Sequence, residues 1–128
     1  MQALLSAALK ARENAFAPYS NFKVGAALED ETGLVHTGCN VENATYGLTV
    51  CAERVAVLKA ISEGVRRFRR IVVAADSPSF TPPCGACRQI LWEFCGDIEI
   101  VLVNLKGRTK SFQLSELFPS PFDDSFLR

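Results

Sequence analysis

Along residues 2–15 the apolar positions Leu4, Leu5, Ala8 and Ala11 fall on one helical face, which predicts an amphipathic first helix. "APYSNF" (17–22) breaks that pattern. From Phe22 to Asn43, "FKVGAALEDETGLVHTGCNVEN" reads as two strands joined by a turn at Asp30–Gly33. A second helix is expected from Cys51 to Glu63, with Val55, Leu58 and Ile61 as its apolar face and Gly64 as its stop. "RIVVAAD", from Arg70, and "IEIVLVN", from Ile98, are continuous apolar runs, the pattern of strands buried on both faces. Between them a third helix is expected from Cys84 to Phe94, ended by Gly96. "KGRTKSF" predicts a turn into a short last strand, and "LSELFP" a short closing helix. The order is α-β-β-α-β-α-β-β-α. Strand–helix–strand units favour right-handed parallel crossovers, so the fold class is α/β, a mixed sheet covered by helices.

A chain of 128 residues, 48% of them hydrophobic, is expected to be one domain, 1–128, with a core of its own. The formal net charge is zero, which argues against a nucleic-acid binder, since such proteins carry a basic footprint. The one basic cluster, "EGVRRFRR" (63–70), reads as a solvated helix end whose cations suit the C-terminal dipole. The N-terminal stretch meets charge at Lys10 and lacks a basic leader region, so it reads as a helix and not a signal peptide. No run approaches the roughly 18 apolar residues of a membrane span, so no membrane partner is expected. The five cysteines are odd in number and not spaced as a disulfide framework, which fits a reducing, cytoplasmic location.

The cysteines change the picture more than the composition does. Cys51 opens one predicted helix, and Cys84 and Cys87 lie in the first turn of the next. Residues three apart share a helix face, so Cys84 and Cys87 can grip one ion. Thiols at helix N-termini are biased towards thiolate by the dipole. If the two helix starts meet at one end of the sheet, three thiolates converge, and three protein ligands plus water is the catalytic zinc pattern. Glu53 follows Cys51 by two residues and could exchange a proton with such a water. Arg54 and Gln89 are expected to donate to the sulfurs and offset their charge. Other readings stand beside this one. Cys84 and Cys87 alone could be a redox pair. His36, the sole histidine, could close a four-ligand structural site with the three cysteines. Cys39 and Cys95 suit the core. Asn40 and Glu42 could be ordinary turn or strand-end residues, and Phe22 and Phe122 ordinary core aromatics.

Four segments carry a family resemblance: "FKVGAAL" (22–28), "NVENATYG" (40–47), "CAERVAVLKAISEG" (51–64) and "PCGACRQ" (83–89). On these the chain resembles the small, homotetrameric, zinc-dependent cytidine deaminases over nearly its whole length. The resemblance implies a three-layer α/β/α domain with a mixed five-stranded sheet. It implies one Zn²⁺ per chain, held by Cys51, Cys84 and Cys87, with Glu53 as general acid/base. A zinc-bound hydroxide would attack C4 of cytosine, and ammonia would leave as the ring becomes uracil. Asn40 and Glu42 would bind the ribose hydroxyls, with Tyr46 shaping the pocket. Phe22 would pack near the nucleoside, and the Ala52 N–H would meet the base carbonyl. Phe122, in "FPSPF", would enter a neighbouring chain's site in a homotetramer. The implied activity is hydrolytic deamination of free cytidine and 2′-deoxycytidine in pyrimidine salvage. A related deaminase for another cytosine-like compound, such as blasticidin S, is the runner-up, against which "NVENA" argues. The rival from another class is a non-catalytic structural zinc module.

Overall fold

The computed structural model describes residues 1–128. Helix α1 (Gln2–Arg12) is followed by strands β1 (Val24–Asp30) and β2 (Val35–Cys39), helix α2 (Ala52–Ser62) and strand β3 (Phe68–Ala75). Helix α3 (Gly85–Cys95), strands β4 (Glu99–Val103) and β5 (Thr109–Gln113) and the short helix α4 (Leu114–Leu117) complete the order expected. The five strands form one sheet in the order β2-β1-β3-β4-β5. Only β3 and β4 are parallel, as the α3 crossover between them requires; the other pairs are antiparallel. The sheet is therefore mixed, as expected. No helix is long and apolar enough to cross a membrane.

Each sheet face buries its own cluster. Ala26, Leu28, Ile71, Val73, Ile100 and Leu102 pack beneath α2, α3 and α4, through Ala52, Ala56, Val57, Ala60, Leu91 and Leu114. On the other face Ala27, Val72, Ala74, Val101 and Val103 meet Leu4 and Ala8 of α1. The alternation along β3 and β4 explains why their sequences read as unbroken apolar runs: both faces are covered.

Three expectations change. Helix α1 ends at Arg12, short of residue 15, because the Phe16 backbone pairs elsewhere: its N–H donates to Asn40 O at 3.0 Å and its carbonyl accepts from Glu42 N at 2.8 Å. The buried face of α2 is Ala52, Glu53, Ala56, Val57 and Ala60; Val55 and Ile61 are half-buried and Leu58 is exposed. Gly38 of β2 is the reason. It lets α2 lie so close to the sheet that small residues must line the contact. The basic cluster is only partly a helix end. Arg66 donates to the Ile61 and Val65 carbonyls, whereas Arg70 belongs to β3 and lies between Glu29 and Glu99.

Candidate active site

The loop after β2 is closed by Val41 and Val50, each donating its N–H to the other's carbonyl at 2.9 Å. That closure delivers Cys51 as the N-cap of α2. Strand β3 runs out at Ala75, and the segment that follows returns Cys84 as the N-cap of α3. Both helices thus begin where β3 ends, the side at which ligands bind in open α/β sheets. The sequence put Cys84 inside the first helical turn; it caps that turn instead, and Cys87 lies in it, buried.

The three thiols converge. Their Sγ atoms all lie within 4.8 Å of one another, with Cys51 to Cys84 at 4.0 Å and Cys84 to Cys87 at 3.4 Å. Tetrahedral zinc with Zn–S bonds of about 2.3 Å needs sulfurs about 3.8 Å apart, and the two spacings bracket that value. Arg54 adds a second indication. Its Nη2 donates to Thr49 O at 3.1 Å and to Cys51 Sγ at 3.7 Å, while its buried Nε has no partner within the chain. A cation committed to a sulfur suits a cluster that carries net negative charge. The hydrogen bond with Cys87 first, and Arg54 beside it, hold the Cys51 thiol below the usual thiol range. Cys87 is pushed well above the usual thiol range by that same bond and by burial. The donor set fits zinc: three soft sulfur ligands lie within reach of one ion, with the Cys51 thiol already biased towards thiolate.

Glu53 is buried, 5% exposed, on the first turn of α2. Burial raises its carboxyl to about 7, and the Cys51 thiolate adds to the rise. A carboxyl poised there can hold or release a proton at neutral pH.

A cavity of about 250 Å³ opens over this group. Its walls include Cys51, Ala52, Glu53 and Cys84 together with Phe22, Asn40 and Glu42. Those site residues, read from distant stretches of sequence, are brought to one cleft. Asn40 and Glu42 are not free turn residues. Asn40 is fixed by the Val24 N–H at 2.9 Å and by donating to Phe22 O at 2.8 Å. Glu42 accepts the N–H groups of Tyr19 and Ser20 at 2.9 and 3.1 Å, and the Ser20 hydroxyl. These bonds hold its carboxyl below the usual carboxylate range, the Ser20 hydroxyl most of all.

Four of the residues singled out in the sequence lie outside this cleft. Tyr46 lines an adjoining chamber with Tyr19, Ser20, Glu42 and Thr49. Gln89 does not reach a thiol; its amide donates to Phe122 O at 2.8 Å. Phe122 is exposed, stacks on Phe126, and does not line this chain's own cavity. His36 is no zinc ligand: it is buried against Asp30 at 3.0 Å and takes no part in the thiol cluster. Cys39 and Cys95 are half-buried, and Cys95 packs on the larger core cluster. Sequence reasoning missed Ser20, Thr49 and Thr81 as cavity walls. The "PYS" preceding Asn21 and Phe22 was the available signal for Ser20.

Three converging thiols rather than four, beside a buried carboxyl and a cavity on an α/β scaffold, make a site able to hold a metal ion with a coordination position left open. Residues 1–104 match the model of the cytidine and deoxycytidylate deaminase zinc-binding region, and the chain belongs to that family. It is 47% identical over 123 residues to a cytidine deaminase of Sporosarcina psychrophila, covering 95% of this chain and 90% of that one. It is 51% identical over 122 residues to a cytidine deaminase of Halalkalibacterium halodurans, covering 94% and 92%. Among solved structures, a cytidine deaminase from Burkholderia pseudomallei superposes with a TM-score of 0.92 at 48% identity, over 94% of this chain and 98% of that one.

Proposed function

We propose that this chain is a zinc-dependent cytidine deaminase that converts free cytidine and 2′-deoxycytidine to the uridine nucleosides, with water consumed and ammonia released. The observation that carries the reading is the buried Glu53 carboxyl at the rim of the three-thiol cluster, inside a nucleoside-sized cleft. The identity of close to one half with named cytidine deaminases supports the same substrate.

Cys51, Cys84 and Cys87 would hold one zinc ion, which when bound supplies Lewis-acid activation of a water. Glu53 is placed to take the proton that water loses and to pass it to the departing amine. A carboxyl near neutrality suits both halves of that transfer better than an ordinary glutamate, since it gives the proton back as readily as it takes it. Ala52 opens α2, so its N–H is one of the helix's unpaired donors and can meet the base carbonyl. Asn40 lines the cleft and has one amide hydrogen and one lone pair left after its internal bonds, which would serve the ribose hydroxyls. Glu42 stays ionised in its cradle and accepts from a sugar hydroxyl. The same charge repels a phosphate, which favours nucleosides over nucleotides. Phe22 walls the cleft against the nucleoside.

A closed structural zinc site needs a fourth protein ligand. The histidine that could supply it is bonded to Asp30, which favours catalysis over the structural alternative.

The assembly we infer is a homotetramer of single-domain chains. Large apolar side chains stand exposed on one protomer, among them Phe16, Val41, Leu48, Leu58, Phe122 and Phe126. Such surface suits partner subunits, with Phe122 reaching a neighbour's cleft. Five free cysteines suit a reducing cytoplasm and a role in pyrimidine salvage there.

The test is cytidine deamination, followed by the ultraviolet change to uridine, for the wild type and Glu53→Gln, with zinc quantified in both. Turnover by the wild type and none by the zinc-loaded variant supports the reading. Bound zinc without turnover by either protein would sink it.

A further inference from the structure

The Ser20 hydroxyl bridges two cleft residues. Its oxygen accepts the Phe22 N–H at 3.0 Å, and it donates to Glu42 Oε2. The other carboxylate oxygen, Oε1, takes the backbone N–H groups of Tyr19 and Ser20. Between Ser20 and Phe22, Asn21 turns the chain at φ 57°, in the left-handed region that asparagine tolerates better than most residues. Phe22 is gripped at both ends of its peptide, by Ser20 at the N–H and by Asn40 at the carbonyl.

We propose that Ser20 is a positioning residue: its hydroxyl pre-orients the Glu42 carboxylate towards the sugar and fixes the Phe22 wall in the same bond chain. The inference rests on the assignment of Glu42 to the ribose hydroxyls. A carboxylate offers about four acceptor sites, and the loop occupies three of them. The fourth, on Oε2, is left for a substrate hydroxyl. A free glutamate would lose rotamer freedom on binding; here the loop's own bonds already supply that ordering. Because the Ser20 oxygen is an acceptor for Phe22, its own hydrogen is directed at Glu42, and the two bonds reinforce one another. None of these atoms reaches the thiols or Glu53, so the effect belongs to substrate binding and not to proton transfer.

Steady-state kinetics of the zinc-loaded wild type, Ser20→Ala, Ser20→Thr and Glu42→Gln, each on cytidine and on 2′,3′-dideoxycytidine, test this. For Ser20→Ala on cytidine, KM should rise on the order of ten-fold, with kcat within about two-fold of wild type. On dideoxycytidine, which lacks the hydroxyls Glu42 would accept from, most of that rise should vanish, and Ser20→Thr should restore cytidine KM. An equal rise on both substrates would mean general loosening of the loop and would overturn the proposal. So would an unchanged cytidine KM for Ser20→Ala while Glu42→Gln raises it, an outcome that leaves the ribose assignment standing. If Glu42→Gln itself leaves cytidine KM at the wild-type value, the ribose assignment fails and takes the role of Ser20 with it.

Discussion

Gly38 of β2 lies directly under the first turn of α2, where a Cβ atom would stand 2.5 Å from the carbonyl oxygen of Ala52 and 2.6 Å from the Ala56 nitrogen. Both neighbours are helix backbone and cannot swing aside. Gly38→Ala must therefore push out the end of α2 that carries Cys51 and Glu53. Overpacking of this kind costs about 1–3 kcal/mol. For a chain of this size that lowers Tm by roughly 3–10 °C. Zinc should also be held more weakly, as read by competition with a chromophoric chelator. Gly25 makes a matching close approach to the α1 backbone, on the opposite face from the thiols. Gly25→Ala should lose comparable stability and keep its zinc affinity. If both variants weaken zinc equally, the effect is general and Gly38 has no particular link to the site.

The same contact shows where the sequence was legible and where it was not. The element order and the two strands buried on both faces follow from period and spacing, which are local properties. The meeting of Cys51 with Cys84 and Cys87 was legible only on the condition that the two helix starts come together, and through the family resemblance. The buried face of α2 was not legible. Val55, Leu58 and Ile61 look like a core stripe, yet the spacing between helix and sheet is set by a glycine on another strand, and it admits alanines. Gln89 shows the same limit. Its place two residues after Cys87 suggested a sulfur, but the C-terminal segment passes over α3 and offers it the Phe122 carbonyl. Ser20 went unread because its partner, Glu42, lies across a long stretch of chain that only the fold brings back.

Arg54 should matter to the metal. It is the cation beside the thiolate of Cys51, and its own charge is favoured by that sulfur first of all. Removing groups that support metal ligands typically costs roughly 10- to 100-fold in affinity. Arg54→Ala should fall in that range, and Arg54→Lys should recover part of it, since a lysine supplies the charge without the forked geometry. An alanine variant with full zinc affinity and full rate would remove the charge-offset account.

Gln89→Ala should behave differently. The amide ties the C-terminal segment to α3, helped by Trp92 donating to Asp123 at 3.4 Å. Zinc affinity should stay at the wild-type value, while backbone amides around residues 120–126 exchange faster with deuterium. A clear loss of zinc affinity would restore the role that the sequence suggested for this residue.

Acid sensitivity is expected at the opposite end of α2. Asp30 is buried; its Oδ1 accepts from the Thr32 N–H at 2.8 Å, the Thr32 hydroxyl at 2.6 Å and the Leu34 N–H at 3.0 Å. Its Oδ2 faces His36 Nε2 at 3.0 Å, and the other ring nitrogen of His36 lies 3.8 Å from Glu63. The Thr32 hydroxyl first, and then His36, hold the Asp30 carboxyl far below the usual carboxylate range. A depressed native pKa gives stability that is fully present above the unfolded-state value of about 3.9 and is lost as pH falls below it towards the native value. Asp30→Asn should thus be less stable than wild type at pH 7. The gap should narrow as the pH is lowered from about 4 towards 2, because only the wild type is losing this contribution. Urea midpoints of the two proteins across that range check it. Loss of zinc in acid is common to both proteins and cancels in the difference. A gap that stays constant down to the lowest pH would mean that the Asp30 charge contributes nothing and that the asparagine is simply a poorer fit in the turn.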